Sequence, residues 1–175
     1  MSQVREIAQL GADVLRKNSE QVQDIFAPEI QALISDLFAS LASTNGVGIA
    51  APQISSSWRV IIIASRPSPR YPHAPEMQPT VMINPAFEVL DACQEKDWEG
   101  CLSIPGIRAR VSRYKRINVT YINAEGRQEN QDLEGFVARI FQHEYDHLNG
   151  LVYLDRVENN KDIISELEFE RLMNK

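Results

Sequence analysis

The stretch FQHEYDHLNG runs from Phe141 to Gly150 and contains the pattern H-E-x-x-H. On a helix, His143 and His147 project from the same face one turn apart, so both imidazoles can reach one metal ion. Glu144 is rotated away from direct ligation but stays near enough to act as a general base toward a metal-bound water. The stretch therefore predicts a helix that presents part of a metallohydrolase site.

Length and composition predict one globular domain that covers residues 1–175. The hydrophobic fraction of 43%, the charged fraction of 24% and the net charge of -6 are ordinary for a soluble protein. The densest basic group, in 108–116, alternates as the solvent-facing side of a strand would. We therefore expect no direct nucleic-acid recognition.

The sequence predicts neither a secretory signal nor a membrane segment. The N-terminal residues contain no uninterrupted apolar region, and nowhere do about 18 apolar residues run together. We therefore expect a cytoplasmic protein. In that reducing compartment Cys93 and Cys101 are suited to thiol or metal chemistry more than to a disulfide.

Periodicity and turn residues indicate an α+β fold. Apolar residues recur at helical spacing in 27–42, where Pro28 suits the first turn. The segment GVGIAAPQ, with two glycines close together, is expected to be a loop or an irregular strand. Strands are predicted at 58–65, 80–84, 87–92, 108–113, 117–123 and 127–134, with a hairpin turn at Asn123–Gly126 between the last two.

The remaining segments are assigned from start and stop residues. The helix that carries the H-E-x-x-H motif should run from about Glu134 to Leu148, with Gly150 as its C-terminal stop. A final amphipathic helix is predicted over 162–175. Five prolines between Arg66 and Thr80 indicate an exposed loop.

The motif lacks a third ligand, which catalytic metal sites generally have. In the extended peptidase pattern H-E-x-x-H-x-x-G-x-x-H, the last position is Tyr153, and a phenol is a poor substitute. Cys101, in EGCLSIPG, is a better candidate, because a thiolate and two imidazoles leave one tetrahedral position for water. From residue type alone, a small buried cysteine with no ligand role is the alternative.

Three segments together resemble the peptide deformylase family: GVGIAAPQ (Gly46–Gln53), EGCLS (Glu99–Ser103) and QHEYDH (Gln142–His147). They occur in the family's order, and the resemblance covers nearly the whole chain. It implies antiparallel sheets that surround a central helix bearing the HExxH motif, with additional N- and C-terminal helices. It also implies removal of the formyl group from the N-terminal formyl-methionine of nascent polypeptides.

The resemblance implies a role for nine residues. Those that correspond to the family's metal ligands are Cys101, His143 and His147. Glu144 corresponds to the general acid/base, and Gln53, with the backbone N–H of Leu102, to the pair that stabilises the oxyanion. The residues that correspond to the edge joined by the substrate peptide as an added strand are Gly46, Val47 and Gly48. Main-chain bonds at such an edge accept many sequences.

The resemblance also implies attack of a metal-bound hydroxide on the formyl carbon. The metal it implies is Fe²⁺, which Zn²⁺ or Ni²⁺ often replaces on isolation. Nascent formyl-methionyl N-termini are the expected partners. The ribosome is a further candidate partner, and we expect a monomer.

Three features lie outside these motifs. Arg139 stands where some family members carry an aliphatic residue, and its stem could line the methionine pocket with its head in solvent. Asp146 is expected either to be buried against a cation such as Arg113 or to be exposed. The loop of 66–80 is expected to be an ordinary variable loop, with a lid or a partner surface as the alternatives.

Two other functions are considered. One is a related metallohydrolase that acts on another N-acyl group, or a metallopeptidase. The other is a non-enzymatic metal-binding or ribosome-associated adaptor. The combination of Glu144, Gln53 and Cys101 argues against the adaptor, because a vestigial site has no chemical need for all three.

Overall fold

The computed structural model describes residues 2–67 and 71–174. Three α-helices and six β-strands lie in these ranges: α1 (Pro28–Ala42), β1 (Gly48–Ala50), β2 (Val60–Ser65), β3 (Met77–Cys101), β4 (Ile104–Ile122), β5 (Gln128–Glu134), α2 (Gly135–Leu148), β6 (Ile163–Ser165) and α3 (Glu166–Met173). The strands form one antiparallel sheet in the order β1-β2-β3-β4-β5, and β6 pairs with β4. The predicted α+β class is confirmed, although one continuous sheet replaces the expected several.

Strand β2 explains why the core has two halves. Val60, Ile61, Ile62 and Ile63 are all fully buried. Ile62 packs with the apolar face of α1, whereas Ile61 and Ile63 point the other way and pack with α2. Because successive side chains of a strand alternate, a helix on each face requires the uninterrupted apolar run that predicted a buried strand here.

The four strand segments predicted between 80 and 123 merge into two long strands, β3 and β4, so the predicted breaks were wrong. Pro85 is tolerated inside β3 because the pairing with β4 shifts register between Ile83 and Ala86. A tight turn joins the two strands, with Cys101 opposite Ile104. This turn fixes Cys101 at the end of β3.

The predicted hairpin and the following helix are confirmed. In the turn after β4, Gly126 has φ +80° and its N–H donates to the carbonyl of Asn123 at 3.0 Å. Helix α2 packs against β1, β2, β4 and β5. It ends one residue before Asn149, and Gly150 follows with φ +70°, a conformation that favours glycine.

The predicted C-terminal helix is only partly correct. Ile163–Ser165 forms β6 instead, because two β-branched isoleucines suit a strand and pair with Arg108 and Ala109 of β4. The helix begins at Glu166, where the hydroxyl of Ser165 caps it by accepting from the N–H of Glu168. No helix in the described ranges is both long and apolar enough to cross a membrane.

Two further predictions need correction. The prediction of an exposed loop at 66–80 is wrong for residues 77–80, which begin β3, and for Ala74, which is buried; Pro69 lies outside the described residues. The arginines of 108–116 do not all face solvent. Arg108 and Arg113 are buried, because other parts of the chain cover them and supply carboxylate partners.

Candidate metal centre and active site

Two elements bring three potential metal ligands together. Helix α2 presents His143 and His147, both buried, and the β3–β4 turn presents Cys101. One ligand atom from each of the three residues lies within 4.8 Å of the others. Sγ of Cys101 is 3.3 Å from Nε2 of His147. The structure therefore contains a Cys-His-His cluster.

The chemistry of this donor set fits a divalent transition metal. Nδ1 of His143 lies 2.9 Å from a carboxylate oxygen of Glu99, which leaves Nε2 as the ligand atom. Burial lowers the pKa of His147 well below its usual range, whereas at His143 the effect of burial is outweighed by bonds to Cys101 and Glu99, which raise its pKa. A metal that binds His143 must therefore displace a proton. A thiolate and two imidazoles leave one position of a tetrahedral site open.

Glu144 lies beside the cluster, in a space that exists because its neighbour Gly48 has no side chain. Its side chain is buried, and Oε2 has no hydrogen-bond partner among the described residues. A Cβ at Gly48 would stand 2.5 Å from Oε1 of Glu144, so glycine at this position leaves room for the carboxylate. Burial raises the pKa of Glu144 to about 7, although the nearby His143 lowers it. A carboxyl with that pKa can accept and release protons near neutral pH.

Gln53 directs its amide group toward Cys101. Its Oε1 accepts from the N–H of Ala50 at 2.9 Å, which orients the side chain. Its Nε2 donates to Oγ of Ser103 at 3.3 Å and lies 3.5 Å from Sγ of Cys101. Gln53 is almost fully buried, so it places an N–H donor next to the cluster.

One cavity of about 350 Å³ connects these groups. It is lined by Gln53, Cys101, Leu102, His143 and Glu144, together with Gly46, Val47 and Gly48. Strand β1 is at the edge of the sheet, and within the described chain it pairs with β2. Residues predicted from three separate segments thus meet in one cavity, next to a sheet edge. His147 belongs to the cluster but does not line the cavity.

The comparison with known families agrees with this geometry. Residues 4–162 match the family model of polypeptide deformylase. The chain belongs to the polypeptide deformylase family. Members of this family are metal-dependent hydrolases that remove the formyl group from the N-terminal methionine of nascent chains.

Individual deformylases are similar over almost the whole chain. Peptide deformylase 2 of Nostoc sp. is 52% identical over 169 residues, which is 97% of this chain and 94% of the relative. A class I type b peptide deformylase from Acinetobacter baumannii, crystallised with Met-Ala-Ser bound, has a TM-score of 0.84 at 42% identity and covers 90% of this chain and 100% of its own. The Synechococcus elongatus deformylase in complex with actinonin has a TM-score of 0.79 at 34% identity, over 93% and 85%.

Glu99 has a role at the site that the sequence did not predict. It is only 4% exposed, and its two oxygens accept from Nε and Nη2 of Arg113, from Nη1 of Arg139 and from Nδ1 of His143 at 2.8–3.0 Å. Burial alone would raise the pKa of Glu99, but the charge of Arg113 and the bond to His143 hold it below its usual range. The sequence feature that could have indicated this role is the position of Glu99, two residues before Cys101, the candidate metal ligand.

The sequence left open whether Asp146 is buried or exposed, and in the structure it is buried. It is nearly inaccessible and pairs with Nη1 of Arg113 at 2.7 Å, the partner considered for the buried alternative, and also with Arg156. Because Arg113 also pairs with Glu99, one guanidinium connects the carboxylate behind His143 to the carboxylate on the next turn of α2. This network holds the helix in place behind the cluster.

The expectation that Arg139 places its charged head in solvent was wrong. Arg139 lines the cavity, but the residue is only 6% exposed. Its guanidinium donates to Glu99 and to the carbonyls of Val111 and Glu95, at 2.9, 2.8 and 2.6 Å. A buried carboxylate and two strand carbonyls therefore hold the head, and the sequence around Arg139 shows none of them.

Proposed function

We propose that residues 1–175 form a single catalytic domain that hydrolyses the formyl amide of formyl-methionyl N-termini on nascent polypeptides. The observation that carries the proposal is that Cys101 and His143 of the Cys-His-His cluster line one cavity together with Glu144 and Gln53. In this proposal α2 is the central helix of the domain and carries the HExxH motif. The reaction requires a metal, a proton carrier and an oxyanion donor. The Cys-His-His cluster can hold the metal, Glu144 can carry the proton, and Gln53 can donate to the oxyanion.

The metal ligands in this proposal are Cys101, His143 and His147. When bound, a divalent ion supplies Lewis-acid activation of water and of the formyl carbonyl. We propose Fe²⁺ as the ion in the cell, with Zn²⁺ or Ni²⁺ as replacements on isolation. The mixed sulfur and nitrogen donor set suits all three ions.

The ligand role of Cys101 gives a testable prediction. Cys101→Ala should lower metal content after gel filtration at least ten-fold, because only two protein ligands remain. Cys93→Ala is the matched control, since Cys93 is an exposed thiol on the same strand. Metal analysis of the three proteins, purified in parallel under anaerobic conditions, makes the measurement. Full metal content in Cys101→Ala would exclude Cys101 as a ligand.

Glu144 is the proton carrier in the proposed mechanism. As water attacks the formyl carbon, the carboxylate of Glu144 takes a proton from that water. It then gives the proton to the methionine nitrogen as the C–N bond breaks, so the products are formate and a free amine. The pKa of about 7 and the unpartnered Oε2 both suit a group that changes protonation during turnover.

Gln53 and the backbone N–H of Leu102 are the proposed oxyanion donors. As the formyl oxygen gains negative charge, the amide of Gln53 can donate to it. The bond from Ala50 to Oε1 fixes which end of the amide faces the cavity. Such preorganised donors stabilise the transition state more than the substrate.

Removal of the Gln53 amide should mainly affect turnover. Gln53→Ala is expected to lower kcat by about 10²–10³, the usual cost of losing one oxyanion donor. Gln53→Glu is the matched variant, because it keeps the size of the side chain but offers no N–H₂ donor when ionised. Steady-state kinetics with a formyl-Met peptide and an unfolding curve for each variant make the test. An unchanged kcat in a folded Gln53→Ala protein would remove Gln53 from the mechanism.

The substrate backbone is proposed to add as a strand along Gly46, Val47 and Gly48, at the edge where β1 begins. This edge lines the cavity, and Val47 already accepts from the N–H of Ala64 on its other side at 2.7 Å. Met-Ala-Ser is bound in the crystal structure of the Acinetobacter baumannii relative. A peptide strand at this edge would suit an enzyme that accepts many different nascent chains.

The peptidase alternative has little support in the site. Tyr153, at the position of the third histidine in the extended peptidase pattern, donates its hydroxyl to the carbonyl of Ile107 at 3.2 Å. Its ring stacks on His143, with centroids 5.9 Å apart. Tyr153 therefore supports His143 by packing.

We also propose that the protein is a cytoplasmic monomer and that it meets its substrates at the ribosome.

Formate release tests the proposed function directly. Anaerobically purified protein should release one formate per amine from formyl-Met-Ala-Ser and should not act on acetyl-Met-Ala-Ser or on internal peptide bonds. Measurement of formate and of free amine in the same sample distinguishes deformylation from peptide cleavage. Release of the acetyl group at a similar rate, or cleavage within the peptide, would contradict the proposal.

A further inference from the structure

The C-terminal part of the chain reaches the cavity although it lies beyond residue 162, where the family match ends. Strand β6 pairs with residues 107–109 of β4, and Glu166, the first residue of α3, lines the cavity. Phe169 anchors the helix, because its buried ring packs edge to face on Trp98 at 5.8 Å. Glu166, at the start of α3, therefore forms part of the cavity wall.

An ion pair between the buried side chain of Arg108 and the partly exposed carboxylate of Glu166 joins this segment to the cavity wall. Arg108 is 2% exposed, and its Nε and Nη2 donate to the two oxygens of Glu166 at 2.8 and 3.0 Å. Its Nη1 donates to the hydroxyl of Tyr71 at 3.1 Å. The guanidinium also lies 5.1 Å above the ring of Phe169. Two carboxylate oxygens, a phenol and an aromatic face thus determine where this side chain lies.

Arg108 lines the cavity and packs against the end of β3. A Cβ at Gly100, the residue before Cys101, would lie 2.6 Å from Cζ of Arg108. Arg108 therefore lies directly against the backbone that leads to the metal ligand. A guanidinium has five N–H donors, and contacts within the described chain use three of them. The two N–H groups that remain are on Nη1 and Nη2, and Arg108 is one of the residues that line the cavity.

We propose that Glu166 is a positioning residue that holds Arg108 for contact with the substrate residues after the formyl-methionine. The inference rests on the proposed function. The formyl group must lie at the Cys-His-His cluster, so the following residues extend along the other cavity walls, one of which is Arg108. A bidentate carboxylate pair fixes a guanidinium in both position and plane. Glu166 therefore determines how far kcat/KM for a longer substrate exceeds kcat/KM for formyl-methioninamide.

The test compares formyl-Met-Ala-Ser with formyl-methioninamide, which has no residue after methionine. In Glu166→Ala, the ratio of kcat/KM for the tripeptide to that for the amide should fall about ten-fold, through a higher KM for the tripeptide. Glu166→Gln should recover most of that ratio, because its amide oxygen still accepts from Arg108. Glu168→Ala is the matched control on the same helix, since Glu168 pairs with Arg171 at the surface, and its ratio should equal that of the wild type.

A binding measurement separates this inference from the proposed function. The affinity for unformylated Met-Ala-Ser, relative to methioninamide, should fall about ten-fold in Glu166→Ala whether or not the protein turns over a formyl substrate. Equal losses for long and short ligands would show a general structural role and overturn the inference, as would a ratio within two-fold of the wild type. Absence of formate release from the wild type would contradict the proposed function alone.

Discussion

Glu144→Gln should lower kcat for formate release by about 10²–10⁴ while the protein keeps its metal. General acid–base catalysis typically contributes an effect of this size. The amide preserves the volume beside Gly48 but cannot carry a proton between water and the leaving nitrogen. Glu144 is not one of the three clustered ligands, so metal content should be unchanged. Single-turnover kinetics with metal analysis on the same sample measure both quantities.

The control for Glu144 is an exposed glutamate of the same helix region. Glu134 immediately precedes α2 and faces solvent, so Glu134→Gln should retain wild-type kcat. Retention of more than a tenth of the wild-type kcat in Glu144→Gln would exclude Glu144 as the proton carrier. Loss of metal together with activity would place Glu144 in metal binding instead.

The sequence predicts those structural features of this protein that depend on residues close together in the chain. The spacing of His143 and His147 follows from helix geometry, and the turn at Asn123–Gly126 follows from glycine at a positive φ. The apolar run of β2 likewise predicts burial on both faces. The grouping of Cys101 with the histidines came from a family resemblance, and the structure brings all three together.

The features that the sequence did not predict depend on contacts between distant segments. Arg108 alternates with its neighbours as a solvent-facing residue would, but its partner Glu166 is 58 residues away. Arg139, whose head was expected in solvent, likewise donates to Glu99, 40 residues away on β3. Alternation shows that two residues share a face of a strand, but not whether a helix covers that face. The buried charges were therefore mistaken for exposed ones.

Glu99→Ala should have the largest effect on stability, because it leaves two buried guanidiniums without their shared carboxylate. Arg113 and Arg139 are both buried, and each donates to Glu99 within 3.0 Å. Removal of one partner from a buried ion pair typically costs about 3–5 kcal/mol of the free energy of unfolding. Arg113 retains Asp146 and Arg139 retains two carbonyls, so part of the network survives.

The measurement must separate folding from metal binding, because a metal that binds only the folded state adds to its stability. Denaturant unfolding with excess chelator gives the metal-free value for wild type, Glu99→Ala and Glu99→Gln. The glutamine variant should be destabilised less, since its amide oxygen can still accept from one arginine. Asp132→Asn is the control: it removes a carboxylate from the exposed pair with Arg116 on the same sheet and should change stability little. A loss under about 1 kcal/mol in Glu99→Ala would contradict the prediction.

The second consequence of Glu99→Ala concerns His143. Glu99 is the acceptor at Nδ1 of this imidazole, and loss of such a partner typically lowers metal affinity 10–100-fold. Competition with a chromophoric chelator measures the affinity under conditions in which the variant is folded. Weaker binding shows that Glu99 orients a metal ligand as well as neutralising two arginines. Unchanged affinity together with lower stability would restrict Glu99 to the ion-pair network, because the orientation of His143 would then come from its packing on Tyr153.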